Sequence, residues 1–576
     1  MRKLLVFLML AALLASGFAG MPAAAEDKKV LKIEGGDYGY PSPFTFYSRG
    51  PGYIRMSLIF DTLTWKDDEE IIPWLAKSWK SENGGTKWTL YLEDDVRWHD
   101  GEPLTADDVK FTYEYIKDHS GTPLFKWFSV LNYMDHVEAP NDRTVVVTLT
   151  DPLPSFLTDF AGCIPIIPEH IWKDVSDPTR FTDPEAVIGS GPFKLAEYNK
   201  AEGYYLYEAN EDYFKGVPLV DELILLEVGD PALALSAGEI DEASFWGSEI
   251  DAVETFEADP NFEVISGPSF WVLKTIFNCE KYPTNIPDFR RAIAYGIDRG
   301  EIIDQVVHGG AIVANTGILH PDSSWYMPGL PDYAKNDAVA NQLLDDLGFI
   351  DTDGDGIREY PSGEDLEFEL LTGDRFAREA ELIQEQLEAI GIKTTVKAMS
   401  TKTLDAILKE GNFYIAVSGH GGVANPNLLE TPNWPGDTYH NDSYDSIFLE
   451  QETEMNHAKR KDLVNQLQET IANDLPVYTL YHPLMWSVYN PDKLDRWFYT
   501  LDGVATGIPI EMNKLIFFAR FGDANEDGDI DMRDVTKIAR MICWLDPETD
   551  AADANRDDKL NVLDIIYTEL IILGRV

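Results

Sequence analysis

Apolar positions along this chain alternate between a spacing of two and a spacing near 3.6, which marks strands and helices in turn. Val30 to Glu34, Lys87 to Leu92 and Thr144 to Leu149 read as short strands bounded by turn residues. Between them, Asp100-Gly101 with Pro103 is turn chemistry. Thr105 with Asp108 makes a capping box, and Leu104 with Val109 a hydrophobic staple. Val109, Thr112, Tyr113 and Ile116 then recur at helical spacing. Further on, Ala232 to Ala237, Asp288 to Val307 and Asp374 to Ile390 read as helices, the second carrying another capping box at Asp298 and Glu301. Pro165 and Pro168 exclude a helix interior from Phe160 to Trp172. Strands interleaved with helices over this length predict an α/β protein.

At 576 residues the chain exceeds one core, so two or three domains are expected. A 44% hydrophobic content is that of a folded protein. The formal charge of −53 is diffuse: from Asp523 onward, 14 acidic and 6 basic residues account for only a small part of it. Such acidity argues against nucleic acid or an anionic membrane surface as partner. Cys163, Cys279 and Cys543 are odd in number and share no metal spacing; three buried thiols are expected, with a Cys163–Cys279 bridge the alternative.

Met1 to Ala25 has the form of an export signal: Arg2-Lys3, an apolar run from Leu4 to Phe18, and small residues at Ala23 and Ala25. No later stretch is long and apolar enough to cross a bilayer, so the mature chain is expected outside the cytoplasm. The chain has no G-x-S-x-G, H-E-x-x-H, P-loop or C-x-x-C, and its ten histidines are scattered. The expectation is a protein that is not an enzyme.

The string from Trp98 to Val109, W-H-D-G-E-P-L-T-A-D-D-V, resembles a signature of the peptide/nickel family (family 5) of extracytoplasmic solute-binding proteins, which serve ABC importers. So do I-P-W-L-A-K-S-W at Ile72 to Trp79, G-S-G-P-F at Gly189 to Phe193 and N-E-D-Y-F at Asn210 to Phe214. D-F-R-R-A-I-A-Y-G-I-D-R from Asp288 is a further match, and the likeness runs from Val30 to about Phe518. Gly189 and Gly191 are expected to supply backbone conformations closed to other residues.

The resemblance implies a two-lobed periplasmic-binding-protein-like (type II) α/β fold that shuts over a solute. Lobe I would comprise about 26–60, 184–268 and 486–520, an inserted domain about 61–183, and lobe II about 269–485. Partners would be ABC permease subunits and a peptide or other small solute. Within the family's cleft segments lie Tyr40, Trp246 and Trp271. Peptide-binding members carry G-W-x-x-D, with the acid on the peptide amino terminus. Here the loop from Ser418 through His420 to Asn425 and Pro426 lacks both Trp and Asp. His420 could meet a carboxylate or a nickel chelate, since imidazole suits nickel, and Arg375 a ligand carboxylate. The leading ligand is an oligopeptide or dipeptide. The alternatives are a nickel chelate, a scaffold protein without transport, or an enzyme that uses calcium only structurally.

After Phe521 the composition changes. Asp523, Asn525, Asp527, Asp529, Asp531 and Asp534 occupy positions 1, 3, 5, 7, 9 and 12 of a calcium loop, with Gly528 at position 6. Asp553, Asn555, Asp557, Lys559 (through its carbonyl), Asn561 and Asp564 repeat that register thirty positions later, with Asp558 replacing the glycine. An apolar helix follows each loop, Val535 to Ile542 and Ile565 to Leu573. Two such units resemble a type I dockerin, a small all-α module (521–576) holding two Ca2+ and binding a cohesin-bearing surface protein. Met532, Arg533, Val562 and Leu563 sit where that family meets its partner. A third run, Asp351, Asp353, Asp355 and Glu359, offers similar donors for a third Ca2+ or forms an ordinary Asp-Gly turn. The implied location is the cell surface or a pseudo-periplasm, with membrane association through partners.

Overall fold

The computed structural model describes residues 28–494 apart from 48–49, 69, 432–435 and 437, and then 497–505, 508, 513–518, 524, 532–543, 545, 549, 552, 554 and 560–572. The expected export segment therefore lies outside the described residues. So do the donors Asp523, Asn525, Asp527, Asp529, Asp531, Asp553, Asn555, Asp557 and Lys559.

One strand organises the molecule. Val477–Tyr489 is 13 residues long and almost wholly buried. Its first half pairs antiparallel with Trp271–Phe277 of lobe II, and its second half with Glu242–Trp246 of lobe I. Glu263–Pro268 flanks that second half, and Ala311–Val313 pairs around Pro483. Among the described residues the chain therefore passes between lobes along this strand and again from Pro268 through Phe270 into Trp271. Phe270 holds a left-handed backbone (φ 45°) at this crossing.

In lobe I the sheet continues from Glu242–Trp246 through Val30–Glu34, Glu222–Leu226, Tyr204–Ala209 and Phe193–Asn199. In lobe II it runs from Trp271–Phe277 through Ile415–Gly421, Glu367–Gly373 and Lys393–Met399. The parallel pair Glu367–Gly373 and Lys393–Met399 is joined by helix Ala377–Glu388. Leu382, Ile383 and Leu387 form the buried face of that helix.

The inserted segment folds a four-stranded antiparallel sheet in the order Ala76–Glu82, Lys87–Leu92, Thr144–Leu149, Met134–Asn141. Its alternation is faithful: Trp88, Leu90 and Leu92 face inward. Helix Ala106–Asp118 starts as its capping residues require, the Asp108 carboxylate accepting the Thr105 N–H at 2.8 Å. The insert is not an independent ball. Trp88, Tyr113 and Phe156 share one hydrophobic core with Leu31, Phe193 and Leu223 of lobe I.

Three expectations need correction. Gly189 and Gly191 do not hold left-handed backbones; a Cβ would stand 2.0 and 2.6 Å from the Ile59 main chain, so close approach excludes larger residues. Asp298 caps its helix through the Glu301 N–H (3.0 Å), but the Asp298 N–H goes to Gln386 Oε1 and not to Glu301. The three thiols are not uniformly buried: Cys163 is buried, Cys279 half-buried and Cys543 exposed.

The described part of the C-terminal module is a pair of packed helices, Met532–Ile542 and Val562–Ile572, around Ala524, Ile538, Met541 and Ala552. Among the described residues no helix is long and apolar enough to cross a membrane.

Candidate functional site: the cavity between the lobes

A cavity of about 240 Å³ lies between the lobes. Lobe I and the insert supply Lys66, Asp159 and Asp502, and lobe II supplies Trp325, Asn425 and Arg460.

Asp159 reaches the cavity through local packing. It sits in a single π-turn, Phe156–Phe160, closed by the Ala161 N–H donating to the Phe156 carbonyl at 2.8 Å. Phe156 stacks on Trp88 with centroids 4.3 Å apart, and Phe160 meets Tyr113 at 4.8 Å. These rings anchor the turn in the core, while Ser155, Thr158 and Asp159 line the cavity. Asp159 is only 4% exposed. Its Oδ2 accepts from Asn427 Nδ2 of lobe II at 3.4 Å, and its Oδ1 makes no hydrogen bond. Burial pushes its pKa up, against the opposing pull of Ser155, Thr158, Arg460 and Asn425.

Arg460 projects from helix His457–Asp474, whose start is capped by Asn456 accepting the Lys459 N–H at 3.1 Å. Its guanidinium donates to Gln451 Oε1 (3.1 Å) and Asn427 Oδ1 (3.2 Å) and lies 4.8 Å over the Trp325 ring. Burial lowers its pKa. Asn425 accepts the Asn427 N–H at 2.9 Å and so shapes the turn Pro426–Leu429. A cross-lobe contact stands at the mouth: Asp502 accepts from Ser324 N–H (2.9 Å) and Ser324 Oγ (2.6 Å).

Of the residues singled out in sequence, Asn425 lines this cavity. Trp271 and Arg375 meet on one face of the lobe II sheet, both against Phe376, whereas His420 stands opposite Val272 on the other face. Trp271 stacks on Phe376 at 5.5 Å and lies against Gly419, where a Cβ would meet its ring at 2.0 Å. Arg375 sits 5.6 Å over the same Phe376. His420 accepts through Nε2 from Lys274 Nζ at 2.7 Å, and its Nδ1 lies 3.2 Å from the Gly421 carbonyl. Burial and the neighbouring Lys274 hold its imidazole well below the usual range. Lys274 is itself fully buried, and burial lowers it to about 7.

Tyr40 and Trp246 lie elsewhere in lobe I. Tyr40 donates to the Asp183 carbonyl (3.3 Å) and packs edge-on to Tyr198. Trp246 closes its strand opposite Met485 and donates its backbone N–H to Glu249 Oε2. Sequence reasoning missed Asp159, Trp325 and Arg460. The one signal for Asp159 is a lone acid inside the apolar run from Phe156 to Ile167.

The third acidic run is convergent. Carboxylate oxygens of Asp351, Asp353 and Glu359 all lie within 4.8 Å of one another, while Asp355 accepts the Ile357 N–H at 2.8 Å. Asp534 and Asp564, the last donors of the two C-terminal loops, are fully buried, and Asp564 accepts the Asn561 N–H at 2.7 Å.

A two-lobed α/β molecule with a solute-sized cavity between its lobes is the architecture of a solute-binding protein. The chain belongs to that class: residues 70–439, more than half its length, match the family described as bacterial extracellular solute-binding proteins, family 5 Middle. It is 31% identical over 342 residues to a Brucella ovis protein named as an ABC transporter peptide-binding protein. That match spans 58% of this chain and 64% of the relative's length. It is 27% identical over 493 residues to the oligopeptide-binding protein AppA of Bacillus subtilis, covering 81% of this chain and 88% of AppA. Among solved structures, NikZ of Campylobacter jejuni in complex with Ni(L-His) superposes with a TM-score of 0.68 at 25% identity, covering 84% of this chain and 98% of NikZ.

Proposed function

We propose that this protein is the extracytoplasmic substrate-binding component of an ABC importer. It captures an oligopeptide or dipeptide by closing two lobes and presents the closed form to permease subunits. The interlobe cavity carries this reading: both lobes line it, and among the described residues two strand crossings join them. Such a hinge closes when the ligand binds the shut state better than the open one. No residue is asked to make or break a covalent bond. The peptide-binding names of the Brucella and Bacillus relatives support the ligand class. The NikZ structure supports a nickel chelate as the alternative. Against it, both His420 ring nitrogens already face protein partners. Native mass spectrometry of the protein from its own medium tests the reading: a co-purified peptide supports it, and a co-purified nickel complex replaces it.

The C-terminal module, on the same proposal, is a dockerin-like calcium plug that docks on a cohesin-bearing partner and keeps the protein at the cell surface. Its support is the twice-repeated donor register and two buried aspartates at the helix starts. Beside them, Met532 (57% exposed), Val562 (59%) and Leu563 (51%) present apolar surface where a partner would sit. The Asp351, Asp353 and Glu359 oxygens fit a third Ca2+, a hard cation that takes carboxylate donors. Calorimetric titration of the chelator-stripped chain reads the stoichiometry directly: two or three calcium ions are expected, and none would remove the plug from the account.

A further inference from the structure

We propose that Asp159 is the receptor for a protonated primary amine of the bound solute. This deepens the peptide-binding reading and rests on it, because it names the group by which the cavity would select its ligand.

Asp159 is 4% exposed, lines the interlobe cavity and leaves Oδ1 without a hydrogen bond, while Oδ2 has one long contact to Asn427. A buried carboxylate oxygen left unpaired carries an uncompensated desolvation cost. That cost persists unless something entering the cavity offsets it. Among the described residues Asp159 makes no salt bridge, although Arg460 is near enough to pull its pKa down. Arg460 gives Nε to Gln451 and Nη2 to Asn427 and lays its face on Trp325.

Geometry narrows the class of partner. Among the described residues no second carboxylate, imidazole or thiolate joins Asp159 in a metal-sized cluster; the one such cluster is at Asp351, Asp353 and Glu359. A single carboxylate suits a hydrogen-bonding cation and does not by itself hold a metal ion. A guanidinium would need both oxygens for its planar fork, and Oδ2 already shares one lone pair with Asn427, which makes a bidentate clasp the less favourable match. A primary ammonium needs only one acceptor at this position. Its remaining protons can reach Ser155, Thr158 or Asn425, all of which line the same cavity.

The placement also bears on the Gly-rich loop from Ser418 to Gly422, which lacks an acid. The carboxylate that the cavity does hold comes from the opposite wall, on the π-turn of the insert. An amine seated on Asp159 would therefore be held by the insert, while Asn425 and Arg460 of lobe II close over it. Binding would then link the two sides.

The primary amine has two sources in a peptide, the amino terminus and a lysine side chain. Calorimetry on the full chain with three tetrapeptides separates them: Ala-Leu-Ala-Phe, its N-acetylated form, and N-acetyl-Ala-Lys-Ala-Phe. The wild-type chain is expected to bind the free-amine peptide about tenfold or more tighter than the acetylated one. A rescue by lysine would assign the side chain as the source. Asp159→Asn, which keeps the shape and the contact to Asn427, is expected to abolish the difference. Equal binding of all three peptides by the wild type, or a preference retained in Asp159→Asn, would overturn the role of Asp159 and leave peptide binding intact. Binding of no peptide in any form would sink both.

Discussion

Lys514 Nζ lies 2.7 Å from Asp61 Oδ1, and both side chains are fully buried. The pair joins residues 453 positions apart in the chain. Asp61 also accepts from Trp74 Nε1 (2.7 Å), Tyr213 Oη (3.0 Å) and Ser190 Oγ (3.2 Å). The ammonium lies 4.1 Å from the centre of the Trp65 ring and 4.8 Å from that of Trp74. Trp74, Ser190 and Tyr213 come from three separate family motifs, so these motifs meet at a buried ionic knot that ties lobe I to the insert. His99 of the Trp-His-Asp-Gly string joins the same region, with Nε2 2.9 Å from the Gly191 carbonyl.

Removing one partner strands the other charge in a dry site. Lys514→Met or Asp61→Asn is therefore expected to destabilise the chain by about 3–5 kcal/mol, read by denaturant unfolding. The double replacement should cost less than the two single effects combined. Ligand affinity of the folded fraction should not change, because the knot is not part of the cavity lining.

Two kinds of glycine should respond differently to alanine. At Gly189 the added Cβ would stand 2.0 Å from the Ile59 carbonyl oxygen, a backbone atom that cannot swing aside. Gly101 holds φ +91° with nothing within 4 Å of a Cβ, so only backbone strain opposes the change. Gly101→Ala should cost about 1 kcal/mol, and Gly189→Ala about 3 kcal/mol or more, in melting or denaturant experiments.

Asp502 and Ser324 hold the lobes together across the mouth of the cavity. The contact is exposed, so its worth is about 1 kcal/mol. Asp502→Ala should shift the unliganded population toward open forms about fivefold. Small-angle scattering should show a larger radius of gyration, and ligand affinity should fall by a similar factor.

Lys274 sets a pH dependence for lobe II. Burial lowers its pKa from 10.5 to about 7, so between those values the unfolded chain binds a proton that the folded chain does not. Stability should therefore rise with pH from about 7 to about 10, with the full penalty present below 7. His320 and His482, pushed by burial to about 4 and about 3, add a loss of stability as pH falls below 6.5. Lys274→Met should raise stability at pH 6.5 by a few kcal/mol, and the gain should shrink toward pH 10. Thermal unfolding across pH 5 to 10 reads both effects.

The scaffold was legible because its cues are local. The capping acid Asp108, the alternation of Trp88, Leu90 and Leu92, and the buried face of Leu382, Ile383 and Leu387 all appear where the pattern puts them. The cavity was not legible, because its wall is assembled from residues far apart in sequence. Asp159 and Asn427 are separated by 268 positions, and nothing in the run around Asp159 indicates that its turn opens toward lobe II. Aromatic residues proved a poor guide: Tyr40 and Trp246 pack within lobe I, and Trp271 stacks on Phe376. Gly189 and Gly191 were legible as glycines with a purpose, but only the position of Ile59 reveals that the purpose is close approach.

Closure over an unaltered solute is the central claim, and one paired measurement tests it. Small-angle scattering is recorded on the full chain with and without a tetrapeptide that calorimetry shows to bind, and the recovered peptide is then weighed by mass spectrometry. Closure predicts a smaller radius of gyration with peptide present and a peptide of unchanged mass. Identical scattering curves at saturation, or a cleaved peptide, would contradict it.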